Sequence, residues 1–117
     1  MLDQCNQLDR LFQALADATR RQIVERLVRG PAGVSELAQA HTMSLQAIMQ
    51  HLQVLETCGL VRSEKVGRVR TCRIEPPGLR LVEDWISRQR TDWEHRLDRL
   101  GAEFASAPAQ PDRGGPR

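Results

Sequence analysis

Aromatic residues are almost missing, with two tryptophans, two phenylalanines and no tyrosine among 117 residues. So few rings argue against a stacking platform for single-stranded nucleic acid. An excess of one charge is missing too: 17 Lys and Arg face 15 Asp and Glu, for a net charge of +2. Any affinity for nucleic acid must therefore come from where the cations sit. No apolar run approaches a membrane span, and Met1-Leu2-Asp3-Gln4 does not read as a signal peptide. A cytoplasmic protein with no membrane partner is expected. Its three cysteines form no close pair and fit reduced thiols in that compartment. There is no glycine-rich phosphate loop, no His-x-x-x-His pair, and no nucleophile beside a base, because His41, His51 and His95 are scattered. No catalytic residue and no cofactor are assigned, and no internal repeat is visible. What remains, 40% hydrophobic and 27% charged, is an ordinary globular balance with a modest core.

The most informative stretch runs from Ser44 to Gly59. Ser44 can cap a helix start and Gly59 can end one in the left-handed conformation. Leu45, Ile48, Leu52 and Leu55 recur at three- and four-residue steps and share one face. Gln46, Gln50 and Gln53 recur at the same steps on another face, which holds no charge. Amides donate and accept at once, and Gln pairs bidentately with adenine in a major groove. Glutamine is also a good helix former, so this row acquires meaning only from its neighbours.

Upstream, Asp3 or Asn6 can start a first helix with Leu8, Leu11, Phe12 and Leu15 on its apolar face. Asp17 can cap a second that buries Ile23, Val24 and Leu27 and stops at Gly30-Pro31. Val34 stands alone before Ser35, the expected cap of a short third helix, Glu36 to Ala40. His41-Thr42-Met43 leaves room only for a tight corner. Ala38 and Ile48 stand ten positions apart, the spacing of a small and an apolar contact residue in a helix-turn-helix, with Leu37 and Met43 in adjacent core positions. Thr42 stands near the place of the usual turn glycine.

Downstream, Leu60–Glu64 and Val69–Ile74 are β-rich runs around Lys65-Val66-Gly67-Arg68, a hairpin signal. Arg62, Lys65, Arg68, Arg70 and Arg73 face one acid, Glu64. A basic hairpin behind a helix-turn-helix is a wing, able to follow a backbone or enter a minor groove. Taken alone it is also a charged edge that resists aggregation. Lys65, Arg68 and Arg70 are the expected wing contacts. Pro76-Pro77-Gly78 are expected to break the chain before a helix from about Leu79 to Phe104. Its residues Leu79, Val82, Ile86, Trp93, Leu97 and Leu100 resemble a packing seam interrupted by Gln89. Trp93, Leu97 and Leu100 lie beyond the reach of the core and suggest an association site. Residues 1–104 are thus expected to form one domain and 105–117 a disordered tail. The fold class is mainly α with a small β-hairpin, a winged helix-turn-helix in the order α-α-α-α-β-β-α.

With that order in hand the sequence resembles the ArsR/SmtB family of bacterial transcription regulators. The matching residues are Leu15-Ala16-Asp17-Ala18-Thr19-Arg20-Arg21-Gln22-Ile23-Val24, Ser35-Glu36-Leu37-Ala38, Met43 through Glu56, and Gly59-Leu60-Val61. The likeness runs from about Leu8 to Leu100. It implies a homodimer formed by the first and last helices, with Leu8, Leu11, Phe12, Trp93, Leu97 and Leu100 at the interface. It also implies that a double-stranded DNA operator is bound, usually in repression, and that residues around Ser44, Gln46, Ala47 and Gln50 enter the major groove, with Gln53 beyond. Met49 stands where many relatives carry a serine.

The family's sensing sites do not carry over. Val34, Ser35 and Leu37 occupy the stretch where one type has cysteines, and Ile86 sits where another has its first histidine, although Asp84 is present. His95 and Asp98 keep a His-x-x-Asp step outside that set. No metal ligand is assigned, and the inducer, if any, is left unknown. Cys5, Cys58 and Cys72 leave open a thiol- or metalloid-responsive repressor, since thiolates select soft ions. Read without a motif, Cys58 and Cys72 are small buried hydrophobes. A winged helix that binds protein rather than DNA is a further alternative, which the basic hairpin and the amide row speak against.

Overall fold

A computed structural model describes residues 2–105, with side chains from Asn6 to Phe104. The expected tail after Ala105 and the side chains of Asp3 and Cys5 lie outside the described residues. The chain divides into two compact units, one ending at Glu83 and one beginning at Asp84.

The first unit opens with α1 (Leu2–Leu15) and α2 (Ala18–Val28). Asp17 caps α2 as its side chain accepts the Arg20 amide at 3.0 Å. That hydrogen bond also holds the Asp17 carboxyl below the usual carboxylate range. A two-residue strand, β1 (Ala32–Gly33), leads into α3 (Val34–Ala40). Ser35 is therefore not the cap of α3 but lies inside it. Gly33 takes the cap position, and Glu36 reaches back to accept its amide at 3.3 Å. Next come α4 (Leu45–Thr57), β2 (Val61–Val66) and β3 (Val69–Ile74). The sheet has three antiparallel strands in the order β1-β3-β2, not the two of a hairpin alone. Ala32 pairs with Cys72 and Gly33 with Thr71. Two residues carry no detectable period, which is why β1 is invisible in the sequence.

The helix α5 spans Pro76–Ala105. Pro76, Pro77 and Gly78 thus form its first turn rather than a break before it. Proline suits that turn because its missing N–H would have no helical partner there. Gly78 is required for a different reason: a Cβ there would meet the Gly59 carbonyl oxygen at 2.2 Å. The start of α5 therefore crosses the end of α4 backbone against backbone.

The core of this unit joins Leu11 and Ala14 of α1, Ile23, Val24 and Leu27 of α2, Val34, Leu37 and Ala38 of α3, and Ile48, Leu52 and Leu55 of α4. Leu60, Val61, Cys72 and Val82 close it, and no polar side chain is buried among the described residues. Leu45 departs from expectation. It is 49% exposed, because the first residue of α4 lies past the edge of what packs on that face. Leu11 departs in the other direction. With 0% of its surface exposed, it is a core residue with nothing left for an interface.

Both helices of the helix-turn-helix end in the same way. After α4 the Leu60 amide bonds the Leu55 carbonyl at 2.9 Å and the Gly59 amide bonds that of Glu56 at 3.1 Å, with Gly59 at φ 90°. After α3 the Met43 amide bonds Ala38 at 3.0 Å and the Thr42 amide bonds Gln39 at 3.2 Å, with Thr42 at φ 53°. These are paired Schellman reversals. The left-handed conformation costs a β-branched residue about 1–2 kcal/mol. Glycine would remove that cost and add about 0.5–1 kcal/mol of backbone entropy. Thr42 is exposed, so no packing is lost with its side chain. Thr42→Gly should therefore stabilise the protein by about 0.5–1 kcal/mol. A higher urea midpoint with an unchanged slope would register the gain, and a lower midpoint would show that the corner is unstrained.

Candidate nucleic-acid interface

The rotation of α4 decides what it shows to solvent. Ile48, Leu52 and Leu55 are buried, and each such side chain is worth about 1.5–3 kcal/mol against exposure. Gln46, Gln50 and Gln53 are exposed on the opposite side. Ala47 is half-buried at the margin of this row. The exposed Ser44 caps the helix, its Oγ accepting the Ala47 amide at 3.1 Å. Its hydroxyl thus serves the helix start as well as any ligand.

Two contacts from outside the helix-turn-helix hold α4. Gln7 of α1 donates to the Cys58 carbonyl at 3.2 Å. Arg20 of α2 donates to the Ala14 carbonyl at 2.8 Å, to Gln13 at 3.2 Å, and to Nδ1 of His51 at 3.3 Å. Arginine only donates, so Nδ1 accepts in that contact. A longer approach of the same atom to Asp17, 3.9 Å, calls for a protonated ring. The shorter, hydrogen-bonding contact is the better account of the geometry. Arg20 thus ties the last carbonyls of α1 to the middle of α4, a role that nothing local in the sequence announces.

The wing closes in a two-residue turn, Gly67-Arg68, with Val66 opposite Val69. Gly67 has φ 63° and Arg68 a negative φ, the pattern of a II′ hairpin turn. The turn is tighter than the expected four-residue connection. Register places Lys65 opposite Arg70 and Arg62 opposite Arg73. Like charges directly across a ladder destabilise it. Glu64 relieves one pair by bonding Arg73 at 2.6 Å. The other pair has no such relief among the described residues. Arg70 donates to Ser63 at 3.1 Å, and Lys65 and Arg68 project exposed. Lys65 and Arg70 thus face each other with no ion pair to an acid among the described residues.

The sequence pattern described as "Bacterial regulatory protein, arsR family" matches residues 17–63. The HTH-type transcriptional regulator Rv2034 of Mycobacterium tuberculosis is 46% identical over 80 residues, covering 68% of this chain and 75% of that one. The chain belongs to the arsR family of bacterial regulatory proteins. This arsR-family protein is accordingly a DNA-binding transcriptional regulator rather than an enzyme. Its fold is shared with an ArsR-like transcriptional regulator from Rhodococcus sp. RHA1, at TM-score 0.76 and 33% identity, covering 92% of this chain and 99% of that one. A second solved relative is the homodimeric winged helix-turn-helix DNA-binding domain (fragment 1-100) of Mb0332 from Mycobacterium bovis. It is 31% identical at TM-score 0.61, covering 78% of this chain and 82% of that one.

Among the described residues of the regulator no three His, Cys, Asp or Glu side chains are placed to hold a metal ion. No helix of the described residues is long and apolar enough to cross a membrane. His41 bonds the Leu37 carbonyl at 2.9 Å and so caps its own helix. In the second unit His95 and Asp98 are exposed, as is Asp84. Cys58 and Cys72 are buried free thiols, and Cys58 donates to the Leu55 carbonyl at 3.4 Å. Burial pushes both thiols up, Cys72 to about 11, with the Glu56 charge adding to the rise and Arg70 opposing it. Raised values mean that the native state disfavours the thiolates. The stability that Cys72 contributes is complete below the ordinary thiol range near 9 and is lost as pH climbs through about 11. Urea midpoints should therefore fall between pH 9 and 11, and the fall should shrink in Cys72→Ala. A midpoint flat across that range would show that the thiol is solvated.

Proposed function

We propose that this protein is a dimeric repressor that reads a palindromic operator in double-stranded DNA. The observation that carries the reading is the coexistence of an exposed amide row on α4 with an acid-free cation pair on the wing. Gln46 and Gln50 read base edges in the major groove, with Ala47 against a base and Ser44 and Gln53 at the ends of the row. Lys65, Arg68 and Arg70 contact phosphates or the minor groove and position the helix. Repression is what the resemblance to the ArsR/SmtB family implies: an occupied operator excludes other proteins. Residues 1–104 act as one binding and dimerisation domain, and such a protein works in the cytoplasm without a resident metal.

A bidentate base contact discriminates by about 1–3 kcal/mol, whereas a phosphate contact adds about 0.9 to the log–log salt slope. Gln50→Ala should therefore weaken specific binding by about tenfold and leave random DNA nearly unaffected. Arg68→Ala should weaken both and lower the slope by about 0.9. Gel shifts at several salt concentrations separate the two. Equal losses on both DNAs for Gln50→Ala would remove base readout from α4.

The dimer reading rests on α5. Within the second unit Trp93, Leu97 and Leu100 are exposed at spacings of four and three, Trp93 by 60%, and Phe104 continues the stripe. Such a row on a helix is the seam that a second helix covers. On α1, Phe12 is 39% exposed and Leu8 is half-buried, which leaves surface for a partner, whereas Leu11 leaves none. A second copy of the chain is the occupant, as in the homodimeric relative. Two recognition helices would then reach half-sites about 34–36 Å apart. Trp93→Ala should raise the dimer dissociation constant by about thirtyfold, the effect of losing a hot-spot tryptophan worth about 2 kcal/mol. It should lower operator affinity without any loss of DNA contacts. Sedimentation at micromolar concentration checks it, and a wild-type monomer that binds its operator tightly would reject the dimer.

A further inference from the structure

Two large apolar side chains of α4 stand half exposed beside the amide row, Leu45 at 49% and Met49 at 47%. Met49 is three residues after Gln46 and four before Gln53, so it neighbours both on the helix surface. Leu45 lies one turn further toward the helix start, on the same side. Both border a groove of about 640 Å³ whose other wall is the wing, through Arg68, Val69 and Arg70. A second groove joins Met49 and Arg70 to Gln53. The apolar edge is thus enclosed between the amides and the wing cations.

Glu36 and Glu56 also line these grooves, with Glu36 already held by Arg26 at 3.3 Å, and an apolar partner seated here would have to take these acids and the wing cations out of water, at high cost. DNA would not, since its phosphates answer the cations and its base edges answer the amides. The chemistry of the bases then narrows the assignment. The apolar groups on major-groove edges are the thymine C5-methyl and the much smaller cytosine C5–H, and only the methyl offers a surface large enough for a side chain to pack on. Leucine cannot hydrogen-bond and methionine accepts only weakly, so neither can replace the water on a polar edge. We infer that Leu45 and Met49 form an apolar reading edge that selects thymine by its methyl group. The inference rests on the proposed DNA reading and adds a specificity that the glutamines do not supply.

The test uses the full-length protein and an operator selected from random duplexes. Each thymine of the operator is replaced in turn by deoxyuridine, which keeps all pairing and every donor and acceptor and removes only the methyl. At one or more positions in each half-site the wild type should lose about three- to fivefold in affinity, the worth of one buried methyl group. At those positions Met49→Ser or Leu45→Ala should bind the two operators alike, while Met49→Leu should keep the preference. Both side chains are exposed, so these variants retain the core, and circular dichroism confirms their helix content. A wild type indifferent to deoxyuridine at every position would overturn the inference, as would full methyl sensitivity in both truncated variants. The DNA reading fails separately, through the response of Gln50→Ala and the salt slope, neither of which depends on a methyl. A selection that returned no preferred sequence would overturn both.

Discussion

Burial of Ile48, Leu52 and Leu55 fixes the rotation of α4 about its own axis, and most of what the regulator can do follows from that angle. A turn of the helix by one residue, about 100°, would bring Met49, Gln53 and Glu56, or Ala47, His51 and Val54, toward the core in place of Ile48, Leu52 and Leu55. Three buried side chains at about 1.5–3 kcal/mol each outweigh the strain held at Thr42, about 1–2 kcal/mol. The corner therefore tolerates a threonine where glycine would be easier. The same burial fixes the start of α5, because Gly78 can approach Gly59 only when α4 ends where it does.

Around this helix the sequence divides its polar groups by task. Gln7 and Arg20 bind carbonyls and the His51 ring and so hold α4 in place. Arg26 and Glu36 join α2 to α3 at 3.3 Å in the same spirit. Exposed pairs of this kind contribute little each, but they define orientation. The wing does the opposite. It sets Lys65 against Arg70 with no acid between them, a local cost that the sheet tolerates because Val61, Cys72 and Ile74 anchor its base. A net charge of only +2 conceals this local excess, in which Arg62, Lys65, Arg68, Arg70 and Arg73 stand on one hairpin with the single acid Glu64.

The burial of Cys58 and Cys72 bears on regulation. Both thiols are raised by desolvation, which lowers the thiolate fraction that soft ions and oxidants attack. They pack as small hydrophobes in the first unit, beneath the wing and at the end of α4. On the third helix Val34 and Leu37 are core residues and Ser35 between them is exposed, so that stretch carries no thiol.

The sequence by itself determined what short-range chemistry controls. Asp17 and Ser44 cap helices because an oxygen on the side chain reaches an amide three residues on, and Gly59 ends one because it tolerates a positive φ. The Ala38–Ile48 spacing, the amide row and the basic hairpin are equally legible, since each depends on neighbours within one or two turns. Tertiary structure decided the rest. Ala32 and Gly33 became a strand only because Thr71 and Cys72 lay alongside to pair with them. Pro76 to Gly78 became the first turn of α5 because the backbone of Gly59 leaves room there for glycine and for nothing larger. Leu11 and Leu45 exchanged their expected roles, one lost to the core and the other left in solvent. Periodicity states which residues share a face, but only the packed neighbours determine where that face begins and ends.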